Sequence, residues 1–160
     1  MIISISSVTV NGESATIVDG EWNVTLTLTA NVLTTLDIVA TDTSGNQTSI
    51  TEYVFYDNTA PTLTFSQTLS TSSRCGTYVY VASGGRTNYT FSGTASDASG
   101  IKSVTINGTE ATIVDGNWSL TRTFSGTSSK ALAIRFIVTD NAGLTRTYTR
   151  YIHYGPIAMC

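Results

Sequence analysis

Three aspartates have the type and setting to hold a hard cation. Asp97 lies in Ala95-Ser96-Asp97-Ala98-Ser99-Gly100, Asp140 in Thr139-Asp140-Asn141-Ala142-Gly143, and Asp57 in Tyr56-Asp57-Asn58-Thr59. Calcium takes several oxygen ligands, carboxylates together with backbone carbonyls, and polar turns supply both. The same Asp-x-x-Gly spacing is also ordinary turn chemistry, because an Asp side chain bonds its own backbone two residues on. Tyr78, Tyr80 and Tyr89 flank Ser83-Gly84-Gly85-Arg86. They suggest an exposed aromatic strip on an edge hairpin, a candidate surface for a glycan or a receptor. Trp22 and Trp118 each follow an Asp-Gly turn by one residue. Both read as core anchors, with a sugar-stacking platform as the alternative. Cys75 and Cys160 are the two cysteines. They are two free thiols or one disulfide, within or between chains, and their separation carries no metal-ligand spacing.

Other chemistry lacks its residues. His153 is the sole histidine, and no nucleophile signature accompanies it. The carboxylates sit in turns or are scattered on strands, so no glycosidase pair stands out. No Gly-rich loop follows a strand and opens a helix to cradle phosphate. The expectation is therefore a protein that is not an enzyme.

The elements that must position these residues are strands. Of 160 residues, 30 are Thr and 19 are Ser, while only 12% are charged. Pleated, half-buried strands favour such β-branched content, whereas disordered chains need more charge and fewer apolar residues. No apolar run approaches the length of a membrane-spanning helix. The formal net charge of −3 argues against nucleic acid as the partner.

An internal repeat organises the chain. Ser7 to Trp22 reads SVTVNGESATIVDGEW and Ser103 to Trp118 reads SVTINGTEATIVDGNW, identical at twelve of sixteen positions. The match resumes with Thr41-Asp42-Thr43-Ser44-Gly45 against Thr139 to Gly143, and with Tyr56 against Tyr154. A repeat of nearly a hundred residues is one small β-domain per copy. The seam places an incomplete module at 1–58 and a complete one at 59–160.

The second copy predicts seven strands: 62–66 (with 77–82 as a possible continuation), 87–96, 101–106, 110–114, 118–124, 132–139 and 144–154. Asn107-Gly108 and Asp115-Gly116 are dipeptides that accept positive φ in tight hairpins. Trp118, Leu120 and Phe124, then Leu132, Ile134, Phe136 and Val138, alternate onto one face. Seven short antiparallel strands separated by turns indicate a two-sheet sandwich of immunoglobulin type. The fold class is thus all-β, with tandem immunoglobulin-like modules.

A-P-T-L-T-F, S-G-T-A-S-D-A-S-G-I-K-S-V-T-I-N-G, V-D-G-N-W and V-T-D-N-A-G together resemble the bacterial Ig-like repeats of large surface proteins and adhesins. The likeness covers nearly the whole chain. It implies an extracellular or cell-surface protein whose modules lie end to end as a stalk, often with calcium at module junctions.

The first copy has no counterpart of 62–100, so it lacks its first two strands. Such a sandwich leaves sheet edges and an open core. Either the module is simply reduced or a fragment, or another chain donates the missing strands. Charge is divided in the same sense. Residues 1–60 hold seven acidic and no basic residues, and residues 61–160 hold eight basic and four acidic ones. Asp37 stands where the second copy has Arg135, and Glu52 where it has Arg150. Opposite halves favour head-to-tail association. The expected function is a structural stalk or fibre-building module that associates with itself by strand complementation. The alternatives are a carbohydrate- or receptor-binding adhesin module and a viral fibre or decoration protein.

Overall fold

A computed structural model describes residues 4–67, 70–72, 76–81, 85–126 and 130–154. The chain divides into two compact units, Met1–Asn58 and Thr59–Cys160. Every regular element among the described residues is a strand.

Among its described residues unit 1 holds six strands: β1 (Ile5–Val10), β2 (Glu13–Ser14), β3 (Thr16–Val18), β4 (Glu21–Asn23), β5 (Leu33–Asp42) and β6 (Gln47–Phe55). One sheet has the order β2-β1-β5-β6 and is antiparallel throughout. The other consists of the β3–β4 hairpin alone. Turn chemistry explains both tight corners. Asn11-Gly12 and Asp19-Gly20 adopt positive φ at both central residues, the backbone that matches the twist of flanking strands. Asn11 also braces the next strand: its Nδ2 donates to the Thr35 carbonyl and its Oδ1 accepts from the Asp37 N–H.

Unit 2 holds β7 (Thr62–Leu63), β8 (Ser70–Ser72), β9 (Gly76–Val81), β10 (Gly85–Ser96), β11 (Ile101–Ile106), β12 (Thr109–Glu110), β13 (Thr112–Val114), β14 (Asn117–Gly126), β15 (Lys130–Asp140) and β16 (Thr145–Tyr154). The sheet β13-β14-β10-β7 faces the sheet β12-β11-β15-β16-β9-β8. The expected continuation of the first strand is β9. It has changed sheets and pairs parallel with β16, Val79 opposite Ile152. The expected strand over 110–114 is likewise split between the two sheets at Ala111, which is buried. Unit 1 makes the same crossing at Ala15, whose N–H donates to the Val8 carbonyl as that of Ala111 donates to Val104.

The core of unit 2 is aromatic. Trp118, Phe91 and Phe136 are fully enclosed together with Val104, Ile106, Val138 and Ile152. Phe65 stands edge-on to Trp118 at 5.6 Å, to Phe136 at 5.0 Å and to Tyr148 at 5.7 Å, a geometry favoured by the ring quadrupoles. The Arg150 guanidinium lies 4.4 Å from the Phe65 ring centre. Trp118 Nε1 donates to the carbonyls of Thr64 and Thr94, so the buried indole N–H is satisfied by the two strands that cover it. Gly93 makes that cover possible: a Cβ there would lie 1.9 Å from the Thr64 carbonyl oxygen.

Candidate functional site

The two units place the same hairpin in different surroundings. In unit 2, β14 pairs with β10 over ten residue pairs, Gly85 opposite Gly126 through Thr94 opposite Asn117. In unit 1 no element corresponds to β7 or β10 among the described residues. Its equivalent of β14 forms a ladder only over Glu21–Asn23. Residues 24–29, Val-Thr-Leu-Thr-Leu-Thr, keep the alternation of a strand, with Val24, Leu26 and Leu28 half-buried and the three threonines exposed. They nevertheless form no ladder. A strand requires a partner as well as a pattern.

The side chains left uncovered line a cleft of about 490 Å³, with Ser4, Ile5, Val8, Ile17, Trp22 and Ala40 on its walls. Trp22 is 43% exposed, whereas Trp118 is 1% exposed. The expectation that both tryptophans anchor a core therefore holds for Trp118 and is corrected for Trp22. The physical reason is the missing cover. Leu63, Phe65 and Phe91 pack over unit 2's core, and nothing described in unit 1 takes their place.

The carboxylates form a second constellation. Within unit 2 a carboxylate oxygen of Asp97 lies within 4.8 Å of one from Asp140. Asp97 Oδ1 accepts from the N–H and the hydroxyl of Ser99, which fixes the loop between β10 and β11. Asn141 ties the two loops together through its Nδ2 to Ser99 O and its N–H to Gly100 O. Asp140 is fully buried. Its Oδ1 accepts from the Leu144 N–H, and its Oδ2 accepts no hydrogen bond. A buried carboxylate oxygen without a donor is costly.

The equivalent in unit 1 is satisfied. Asp42 Oδ1 accepts from the N–H groups of Ser44 and Asn46, and Oδ2 accepts from Asn46 Nδ2. The Asn46 amide, helped by these backbone donors, holds the Asp42 carboxyl below the usual carboxylate range. Unit 2 has Leu144 at the position of Asn46, and an apolar side chain offers no donor. That exchange carries the difference between the two acidic loops, and comparing the repeats position by position exposes it. Asp57, the third carboxylate of the expected cation set, lies on the last residues of unit 1 and is buried.

The aromatic strip does not form as one hairpin. Tyr78 and Tyr80 lie on β9 and Tyr89 on β10, and these strands belong to opposite sheets. Tyr89 is half-buried, stands edge-on to Phe91 at 5.0 Å, and packs on the core. Burial pushes its phenol pKa up. The expected Cys75–Cys160 pairing lies outside the described residues, and His153 sits on β16 opposite Ala131.

No family model matches the chain, and no curated protein matches it. Solved structures do. The chain is similar to the fibronectin(III)-like modules of Clostridium thermocellum CbhA, with a TM-score of 0.51 and 14% identity over 99% of this chain and 81% of that one. It is also similar to a chimeric titin Z1Z2-Z1Z2 tandem, with a TM-score of 0.38 and 15% identity over 96% of this chain and 85% of that one. At this identity the CbhA likeness shows the fold alone, an all-β chain of fibronectin(III)-like modules.

Proposed function

We propose that the protein is a non-enzymatic structural module of a stalk or fibre at a bacterial cell surface, associating head to tail with further copies of itself. One observation carries this reading. Two copies of a single module succeed each other in the chain, and one of them is closed while the other leaves Trp22 and an unpaired strand segment open. Open sheet edges and exposed apolar faces invite strand addition. The acidic first sixty residues and the basic remainder would orient that addition. The fibronectin(III)- and Ig-like likeness supports a structural or binding module in general. Sedimentation of the purified chain across concentration and salt tests the reading. Growth with concentration, slowed at high salt, is expected; a compact monomer at every concentration contradicts it.

A second reading concerns the acidic loops. Asp97 and Asp140 would hold a calcium ion, with carbonyls of the two loops completing its oxygen shell. The buried Asp140 Oδ2, which accepts no hydrogen bond and lies beside a second carboxylate, supports it. A cation there would neutralise the pair and stabilise unit 2. Calcium titration monitored by melting is the test. A hundredfold excess over Kd would add about 2.7 kcal/mol, and an unmoved midpoint at millimolar calcium rejects the site.

A third reading, a carbohydrate- or receptor-binding module, draws on Trp22, whose indole lines an open cleft as sugar-stacking aromatics do. Glycan binding abolished by Trp22→Ala would favour it over the structural reading.

A further inference from the structure

Beyond the β3–β4 ladder, residues 24–29 of unit 1 keep the alternation of a strand and have no ladder partner. Their counterparts in unit 2 show what such a segment requires. Past Ser119, β14 pairs with β10 alone, Leu120 opposite Phe91 through Gly126 opposite Gly85. The Ala95 N–H donates to the Gly116 carbonyl. Alternate residues from there on, Trp118, Leu120, Arg122 and Phe124, therefore turn their backbone groups toward β10. The repeat counterparts in unit 1 are Trp22, Val24, Leu26 and Leu28. Their N–H and carbonyl groups point to the side that β10 fills in unit 2 and that no described strand fills in unit 1.

Trp22 to Ala30 reads WNVTLTLTA, without a charge or a Pro, the residues that keep free edges from pairing. The segment is also self-complementary. Laid antiparallel on a second copy of itself about Leu26, it sets Asn23 opposite Thr29, Val24 opposite Leu28, Thr25 opposite Thr27, and Leu26 opposite Leu26. The half-buried apolar residues then meet on one face and the exposed polar ones on the other. Ala30 falls opposite Trp22, as the small Gly93 lies opposite Trp118. The threonine pair has a precedent. Thr121, the counterpart of Thr25, shares a 2.8 Å hydroxyl hydrogen bond with Thr90 across the β10–β14 ladder. The repeats differ at the centre, where unit 2 has Arg122 in place of Leu26. A two-fold axis there would set one guanidinium against another, and like charges directly opposite each other are destabilising. Leu26 has no charge to oppose itself.

We infer that two copies associate through residues 23–29 of their first modules, pairing antiparallel about a two-fold axis at Leu26. The β3–β4 hairpins of the two copies become one four-stranded sheet, joined by about six backbone hydrogen bonds. Seven paired residues span about 23 Å. The contact is isologous and ends at the dimer. It goes beyond the head-to-tail reading, because both partners are first modules. The two contacts also answer oppositely to salt. Here two modules without a basic residue meet, so salt screens a repulsion and tightens the dimer, whereas it slows an association driven by opposite charges.

The test is sedimentation velocity under reducing conditions, with residue-resolved amide exchange on the wild-type chain. The expected species is a reversible dimer that tightens with salt and grows no further. Leu26→Arg and Leu26→Glu each set like charges against each other on the axis, and each is expected to raise the dissociation constant at least about tenfold. An equimolar mixture of the two variants is expected to recover the dimer, since a two-fold contact sets position 26 of one copy against position 26 of the other. In the wild-type dimer the amides of Val24, Leu26 and Leu28 should gain protection, whereas those of Thr25 and Thr27, which point away from the partner, should not. Variants that dimerise as the wild type does, or a mixture no tighter than either variant alone, overturn the inference. So does a wild-type dimer without that alternating protection, a result independent of how the variants fold. A series that grows beyond the dimer and weakens with salt overturns the inference and leaves the head-to-tail reading standing. A monomer at every concentration overturns both.

Discussion

Trp22 and Trp118 occupy the same place in the same Val-Asp-Gly-x-Trp hairpin, with the same positive-φ turn before each. One is 43% exposed and the other 1%. Asp42 and Asp140 occupy equivalent loops as well, and there the contrast runs the other way. The unit 1 carboxylate is saturated with donors, and the unit 2 carboxylate is buried with an oxygen left over. Local sequence sets turns and strand register, whereas burial is set by what packs on top from elsewhere. Two copies differing mainly in their cover separate those influences within a single chain.

Removing each tryptophan tests the comparison at its largest expected effect. Trp118→Ala should cost about 3–5 kcal/mol, a cavity in a close-packed aromatic core, read from the denaturant midpoint. Trp22→Ala in the dilute monomer should cost less than about 1 kcal/mol, because a half-exposed side chain loses little packing. Equal costs would show that unit 1 is closed. Gly93→Ala comes next. A Cβ at Gly93 meets the Thr64 backbone, so β7 must move from its seat, at about 1–3 kcal/mol. The same substitution should raise the accessibility of Trp118 to quencher and so make unit 2 resemble unit 1.

The acidic loops give smaller effects. With calcium chelated, Asp140→Asn should leave stability unchanged or raise it by about 1 kcal/mol, since it replaces a buried carboxylate oxygen that accepts no hydrogen bond. With calcium present it should abolish the rise in melting midpoint. Asp42→Asn should not alter the response to calcium, because Asn46 already occupies that carboxylate. The smallest effect is a pH dependence. The Asp42 carboxyl titrates below its unfolded value, so its contribution is complete above about pH 4 and is lost as pH falls through the folded value. Asp42→Asn should flatten this acid limb for unit 1, measured by hydrogen exchange of the β5–β6 hairpin.

Much of the architecture was legible because its signals are local. Asn-Gly and Asp-Gly located the hairpins, alternation located β14 and β15, and the repeat offset separated the modules. The splitting of 110–114 at Ala111 and the passage of the first strand into β9 were not legible, because changing sheets leaves alternation nearly intact. Trp22 was misread for a related reason: its sequence is that of a buried residue, and only the missing partners expose it. The Tyr78, Tyr80 and Tyr89 strip rested on proximity in sequence, whereas β9 and β10 diverge to opposite sheets. Asp97 and Asp140 were legible as acidic residues in polar turns, but the unsatisfied oxygen depends on Leu144 standing where unit 1 has Asn46.

The central claim is that unit 1 carries an unpaired strand where unit 2 carries a paired one. Amide hydrogen exchange on the dilute, monomeric chain tests it directly by comparing residues 24–29 with 120–125. In unit 2 these residues pair with β10, Leu120 opposite Phe91 through Ser125 opposite Arg86, and the amides that donate into that ladder should exchange only with global opening. Residues 24–29 should exchange orders of magnitude faster in the monomer and gain protection as copies assemble. Equal, slow exchange of both segments in a monomer would show that unit 1 closes on its own and would contradict the account.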